Sequence, residues 1–198
     1  MTKEFDWVLR FIDKGSKVLD VGCGEGKLLS LLKYKHNCNA YGIDNNIEAI
    51  INNAKQGHNI MHHDLNLGIK HIGTDVFDCI VMTDSVQELK NPKDIILQML
   101  EVSKVTILSF PNFGYWRSRF QLLFKGKMPA SKNANYHWYN TPNIHFFTYL
   151  DFVEFCEEEG IAIVAKKQLG GHFVETVLAY LLPNLFAKTV IVKMTKNG

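Results

Sequence analysis

Residues 17–32, KVLDVGCGEGKLLSLL, set a short β-branched run against three glycines and then against leucines at helical spacing. Lys17-Val-Leu-Asp-Val21 is strand-like, and Leu28, Leu29, Leu31 and Leu32 follow the 3.6-residue period of a helix. A strand that feeds a helix through so tight a turn is the first half of a right-handed crossover. The segment therefore predicts a parallel sheet with helices on both faces.

The unit repeats along the chain. A strand over 40–44 leads into a helix with Ile47, Ile50, Ile51 and Ala54 on one face, Asn46 as N-cap and Gly57 as stop. Residues 60–62 form a weak third strand, and 77–82 (FDCIVM) is the continuous apolar run of a strand covered on both faces. Asn91-Pro92 opens a helix with Ile95, Ile96, Met99 and Leu100 inward, and 105–110 is the next strand, ended by Pro111. Thr148-Tyr-Leu-Asp151 has the form of a capping box and starts a helix that Gly160 ends. Two late strands, 161–167 and 186–194, pair as an antiparallel hairpin at the sheet edge. The expected architecture is α/β, a mostly parallel seven-stranded sheet, in one domain over 1–198. The long span 111–147 is a connector or cap, since irregular stretches of that length are usually functional.

Composition narrows the function classes. The 198 residues are 46% hydrophobic and 21% charged, ordinary for a globular chain. A formal net charge of +2 lacks the clustered basic excess of a nucleic-acid binder. Cys23, Cys38, Cys79 and Cys156 show no CxxC spacing, so reduced buried thiols are expected, with neither a zinc site nor a disulfide framework. Glu4 and Asp6 interrupt the first residues where a signal peptide needs an apolar run, and no stretch reaches the ~20 apolar residues of a membrane span. A cytoplasmic protein without membrane association is the expectation.

Ligands of such sheets bind beyond the carboxyl ends of the strands. A dinucleotide fingerprint GxGxxG needs its third glycine at position 27, where Lys27 stands; the spacing is GxGxG, preceded by Asp20. Asp20-x-Gly22-x-Gly24-x-Gly26 resembles motif I of class I methyltransferases, which have a Rossmann-like fold, and the resemblance implies S-adenosylmethionine or S-adenosylhomocysteine as ligand. Bare glycine backbone lets the chain approach an adenosine closely. Asp44, at the end of the second strand, stands where both ribose hydroxyls can be bound. Asp64, after the third strand, matches the superfamily's acid to the adenine amino group. Asn45, Leu65 and Thr83 flank the same strand ends. His62 and His63 read as solvated loop residues, and no metal site is expected.

Methyl transfer is an in-line displacement that needs positioning, and a base only when the nucleophile must lose a proton. After the fourth strand the chain reads Thr83-Asp-Ser-Val-Gln-Glu88, with neither the Glu-His pair of many small-molecule methyltransferases nor an Asn-Pro-Pro-Tyr type motif. Asp84, Glu88 and His145 are the remaining base candidates, and Arg117 or Arg119 a clamp for a carboxylate. Each also has a structural reading, as a local cap, ion pair or packed ring.

The connector holds FPNFGYWRSRFQLLFKGKMP and NANYHWYNTPNIHFFT. With motif I and the Ser85-Val-Gln87 region, these stretches resemble the methionine biosynthesis protein MetW family over nearly the whole chain. That resemblance implies a methyltransferase-like protein that supports homoserine O-acetyltransferase through a complex, with no agreed methyl acceptor. Asn112, Tyr115, Trp116, Arg117 and Trp138 are the expected contacts to a substrate or partner; Tyr136 and Tyr139 add to the connector's aromatic content. Phe173, Val177, Leu178 and Leu181 form one apolar face of a late helix, with core packing its favoured use and partner contact the other. Two function classes remain: a binding partner of the acetyltransferase, or a methyltransferase for a small carboxylate-bearing acceptor.

Overall fold

The computed structural model describes residues 3–129 and 137–196. Tyr136 lies outside the described residues. The strands are β1 (Lys17–Val21), β2 (Asn39–Asp44), β3 (Asn59–His62), β4 (Phe77–Thr83), β5 (Ser103–Pro111), β6 (Ile161–Leu169) and β7 (Thr189–Lys196). They form one sheet in the order β3-β2-β1-β4-β5-β7-β6. Neighbours from β3 to β5 are parallel, whereas β7 runs antiparallel to both β5 and β6. This is the mostly parallel sheet with an antiparallel edge hairpin that the sequence predicts.

The helices are α1 (Lys3–Arg10), α2 (Lys27–His36), α3 (Ile47–Lys55), α4 (Pro92–Val102), α5 (Trp116–Lys125), α6 (Tyr149–Glu158), α7 (Phe173–Leu178) and α8 (Pro183–Phe186). Central strands are buried on both faces, and their side chains alternate between two cores. Ile80, Met82, Leu108 and Phe110 pack with Met99 of α4 and Phe152 of α6. Cys79, Val81 and Ile107 pack on the other face with Val8 and Leu9 of α1 and Leu28 and Leu32 of α2. Phe110 also draws in the end of the connector, its ring centroid lying 5.0 Å from Phe147 and 4.6 Å from Phe152. The four cysteines are free and buried, as expected. Among the described residues no helix is long and apolar enough to cross a membrane.

Three local expectations change. The last strand begins at Thr189 and not at 186, because Pro183, with no N–H to give a ladder, starts the one-turn helix α8 instead. On α3 only Asn53 is buried, while Ile47 and Ile51 are exposed. The sheet beneath this helix ends in the four-residue edge strand β3, which leaves little apolar surface to cover. The third change concerns α7, whose apolar face does not pack into the core. Phe173 and Leu181 are 78% and 79% exposed, and Val177 is exposed with them. The inward series is Glu175 and Ala179, four residues apart and buried. The 173/177/181 series is two residues out of phase with it, about 200° around the helix, and so faces solvent.

Candidate cofactor site and the adjoining cavity

The turn after β1 is built from backbone that only glycine adopts readily. Gly22, Gly24 and Gly26 have φ of 76°, 49° and 72°. Gly22 N and Cys23 N both donate to Ile43 O, at 2.8 and 3.1 Å, which ties the turn to the end of β2. Asn53 of α3 secures it from the other side, its Nδ2 donating to Gly24 O at 2.8 Å and to Ala49 O at 2.9 Å. A Cβ on Gly26 would lie 1.7 Å from Asn53 Oδ1, whereas one on Gly24 would meet nothing within 4 Å. Gly26 is therefore required by packing, and Gly24 presents bare backbone to open space.

Asp44 joins this turn directly. Its carboxylate accepts from Gly24 N and from Asn46 N, both at 2.8 Å. Asn46 in turn caps α3, as expected. Asp20 lies on the neighbouring strand, in register with Gly42, and is 1% exposed with neither carboxylate oxygen hydrogen-bonded. Burial first, and the nearby Asp44 second, push its pKa up to about 7. Asp64 caps the 3₁₀ turn Leu65–Leu67, accepting from Asn66 N and Nδ2 at 2.9 Å, and the backbone bond chiefly holds its carboxyl below the usual range. Leu65 is buried in the core cluster, Asn45 is exposed with its carbonyl 3.1 Å from His62 Nε2, and Thr83 ends β4 half-buried. Among the described residues there is no cluster of three or more His, Cys, Asp or Glu side chains able to hold a metal.

Past the ends of β4 and β5 lies a cavity of about 560 Å³, lined in part by Asp84, Glu88, Asn112, Arg117, His172 and Lys188. Asp84 sits in left-handed backbone, φ 50°, with its N–H donating to Ser109 O at 3.0 Å. The side chain reaches solvent through the cavity but is crowded elsewhere; desolvation raises its pKa, opposed by Lys188. Glu88 is raised too, by desolvation and then by Asp84 and Asp44. Glu4 of α1 does not line the cavity, but it lies within the field of Asp84 and Lys188 and accepts a short hydrogen bond from Ser109 Oγ. Burial and the charge of Asp84 push Glu4 up to about 7, the Ser109 bond and Lys188 acting against them. A carboxyl titrating near neutrality is equipped to hold or accept a proton.

The connector residues divide sharply. Asn112 is buried and fully occupied: Nδ2 donates to Asn184 O and Ala187 O, and Oδ1 accepts from Gly114 N and Tyr149 N. It knots together the end of β5, the start of α6 and the turn around α8. Tyr115, Trp116 and Arg117 converge on Glu175, with Tyr115 Oη donating at 2.7 Å, Trp116 Nε1 at 3.2 Å and Arg117 Nη2 at 3.5 Å. Arg119 Nε donates to Gly114 O at 2.6 Å. Of the two arginines expected to clamp a carboxylate, one is thus paired with Glu175 and the other with backbone. His145 N and Ile144 N both donate to Gln87 O, and His145 Nε2 is shut from solvent without a partner. Trp138 is 82% exposed, its ring edge-on to Tyr139.

Three of these residues escape a reading of the sequence. Glu175 carries a signal, as the lone charge between Phe173 and Leu182. Asn53 looks like any polar helical residue. Glu4 gives none, since its partner Ser109 is 105 positions away.

Residues 2–194 match the family model described as methionine biosynthesis protein MetW. The chain belongs to the MetW family. Over 165 residues it is 30% identical to the bifunctional methionine biosynthesis protein MetXA/MetW of Rhodopirellula baltica, an alignment covering 79% of this chain and 26% of that protein. The MetW-family chain thus spans about a quarter of that relative's length. Among solved structures it resembles an S-adenosylmethionine-dependent methyltransferase from Archaeoglobus fulgidus, with a TM-score of 0.72 at 15% identity, over 98% of this chain and 91% of the other. It also resembles the [4+2]-cyclase SpnF, with a TM-score of 0.68 at 16% identity, over 98% and 80% of the two chains. At such identities the likeness establishes the Rossmann-like methyltransferase fold alone. A cyclase among its members means that this fold does not by itself assign methyl transfer.

Proposed function

We propose that this MetW-family chain binds S-adenosylmethionine or S-adenosylhomocysteine at the glycine turn and serves methionine biosynthesis as a cytoplasmic partner or activator of homoserine O-acetyltransferase. The observation that carries the partner role is the bifunctional relative, whose single chain joins a MetW part to a MetXA part, which we take to be the acetyltransferase. Two activities on one polypeptide meet at high effective concentration, and separate chains need an interface to do the same.

The residues of the glycine turn suit the ligand. Gly22 and Gly24 would lie against it with bare backbone, and Asp44 retains lone pairs for two ribose hydroxyls beyond the bonds it accepts. Asp20, buried and unpartnered, would face the ammonium group; Asp64 and Leu65 would border the adenine, with Asn45 and Thr83 at the margins. When bound, S-adenosylmethionine supplies an electrophilic methyl group on a sulfonium. The span 111–147 acts as a cap beside this site, offering Trp138 to the partner, while Tyr115 is buried against Glu175 and fixes the cap from within.

A second reading, methylation of a small carboxylate-bearing acceptor, is favoured by the cavity of about 560 Å³ where Asp84 and Glu88 stand near Lys188. There Asp84 or Glu88 would take a proton and Lys188 would hold the carboxylate, since Arg117 and Arg119 are already engaged.

The test is purification of the tagged chain from its native host, mass spectrometry of what accompanies it, and calorimetric titration with S-adenosylmethionine. The acetyltransferase should co-purify, and Asp44→Ala should weaken cofactor binding at least about tenfold, the loss of one or two hydrogen bonds. Steady release of S-adenosylhomocysteine with a cell extract would favour the second reading. A chain that neither brings down the acetyltransferase nor binds the cofactor would contradict the first.

A further inference from the structure

Three charged side chains line the cavity of about 560 Å³ without being paired to one another. Asp84 and Glu88 reach it from the loop after β4, and Lys188 from the residue before β7. None of the three forms a salt bridge among the described residues. Their fields nevertheless overlap. Desolvation raises the pKa of Asp84 and Lys188 opposes it, while Glu88 is raised by desolvation first and by Asp84 next. Opposite charges therefore face one another across a gap, close enough to interact and too far apart to pair. Arg117 also lines the cavity but is already engaged with Glu175 at 3.5 Å. The His172 imidazole can donate or accept and leaves this balance unchanged.

The loop 84–88 is a wall shared with the glycine turn. A Cβ on Gly22 would lie 2.9 Å from Ser85 Oγ, and Asp44 adds to the field at Glu88. In the sheet, β4 is the neighbour of β1, and β7 stands two strands beyond β4, about 10 Å away between backbones. The acidic end of the cavity thus adjoins the cofactor turn, and the basic end lies away from it. A plain carboxylate would meet two acids for one available base, and a plain amine would meet Lys188. A molecule that carries both charges satisfies each end. We infer that the cavity takes a small neutral α-amino acid as its zwitterion, the ammonium held by Asp84 and Glu88 and the carboxylate by Lys188. Phe113, Pro129 and Pro142 are left to receive an uncharged side chain. The inference rests on the second reading above, to which it adds the class of acceptor.

The test titrates the purified full chain, saturated with S-adenosylhomocysteine, with each neutral proteinogenic amino acid in a calorimeter. At least one should bind. Its desamino and carboxamide analogues, each lacking one charge, should bind at least about tenfold more weakly. Lys188→Met should impose a similar loss on the amino acid and little on the carboxamide, which has no carboxylate to offer. Asp84→Asn, which keeps a residue tolerant of left-handed backbone, should weaken the amino acid and spare the desamino acid. Lys55→Met on α3 should bind as wild type does. No binding by any amino acid, equal binding of the desamino acid, or binding indifferent to both cavity substitutions would overturn the inference. Methyl transfer is read separately, as S-adenosylhomocysteine released from S-adenosylmethionine. Amino-acid binding without release would keep the inference and remove the second reading. Release supported only by carboxylates without an amino group would keep that reading and refute the inference.

Discussion

Glu4 and Asp20 are carboxyls that burial brings to about neutrality, one beside Ser109 and Asp84, the other behind the glycine turn. A carboxyl whose pKa is higher folded than unfolded binds its proton more tightly in the native state. Its contribution to stability is therefore fully present below the unfolded value and declines as pH rises to the folded one. For Glu4 that window runs from 4.5 to about 7. Glu4→Gln keeps an acceptor for Ser109 and removes the charge, so it should stabilise the protein by roughly 2 kcal/mol at pH 8 and by nothing measurable at pH 4. Denaturant titrations at the two pH values check this; equal stability of variant and wild type at pH 8 would contradict it. At this scale the sequence is legible where contacts are short in sequence. Gly22 and Gly24 stand in a local pattern that predicts the tight turn they form, while Glu4 and Asn53 act through partners the chain brings near only on folding.

Helices α5 and α7 owe their arrangement to one carboxylate. Burial works against the charge of Glu175, but the bonds from Tyr115, Trp116 and Gly171 N–H, together with Arg117, outweigh it and hold its pKa below the usual value. The same bond, after burial, pushes the Tyr115 hydroxyl up to about 12. A depressed carboxyl contributes stability that is present above its unfolded pKa and is lost as pH falls through the folded one. Acidification below the ordinary carboxyl value of 4.5 should thus loosen α7 from α5 before the sheet unfolds. Glu175→Gln should do so at neutral pH, costing about 1–2 kcal/mol, the typical worth of charge-assisted hydrogen bonds. Hydrogen exchange would show faster amides in α7 with β4 and β5 unchanged; unaltered exchange in α7 would contradict the clasp. Periodicity finds the apolar stripes of α3 and α7 in the sequence. It does not say which way they face, because that depends on how much sheet lies beneath and, in α7, on a carboxylate two residues out of phase.

For the whole molecule, alternation of strand and helix patterns is enough to read a doubly covered sheet and its antiparallel edge, since burial on both faces leaves a distinct mark on β4 and β5. What the sequence does not disclose is the cavity past those strands, assembled from the loop after β4, the connector, the turn before α7 and the start of β7. The central claim is that a MetW-family chain works through homoserine O-acetyltransferase while holding an adenosyl ligand. Its most direct measurement is the acetyltransferase rate and thermal stability as the purified chain is titrated in, with and without S-adenosylmethionine. Both should change until one chain is bound per enzyme subunit, with Asp44→Ala losing the cofactor dependence; a rate and stability unaltered at a large excess of chain, in either condition, would contradict the account.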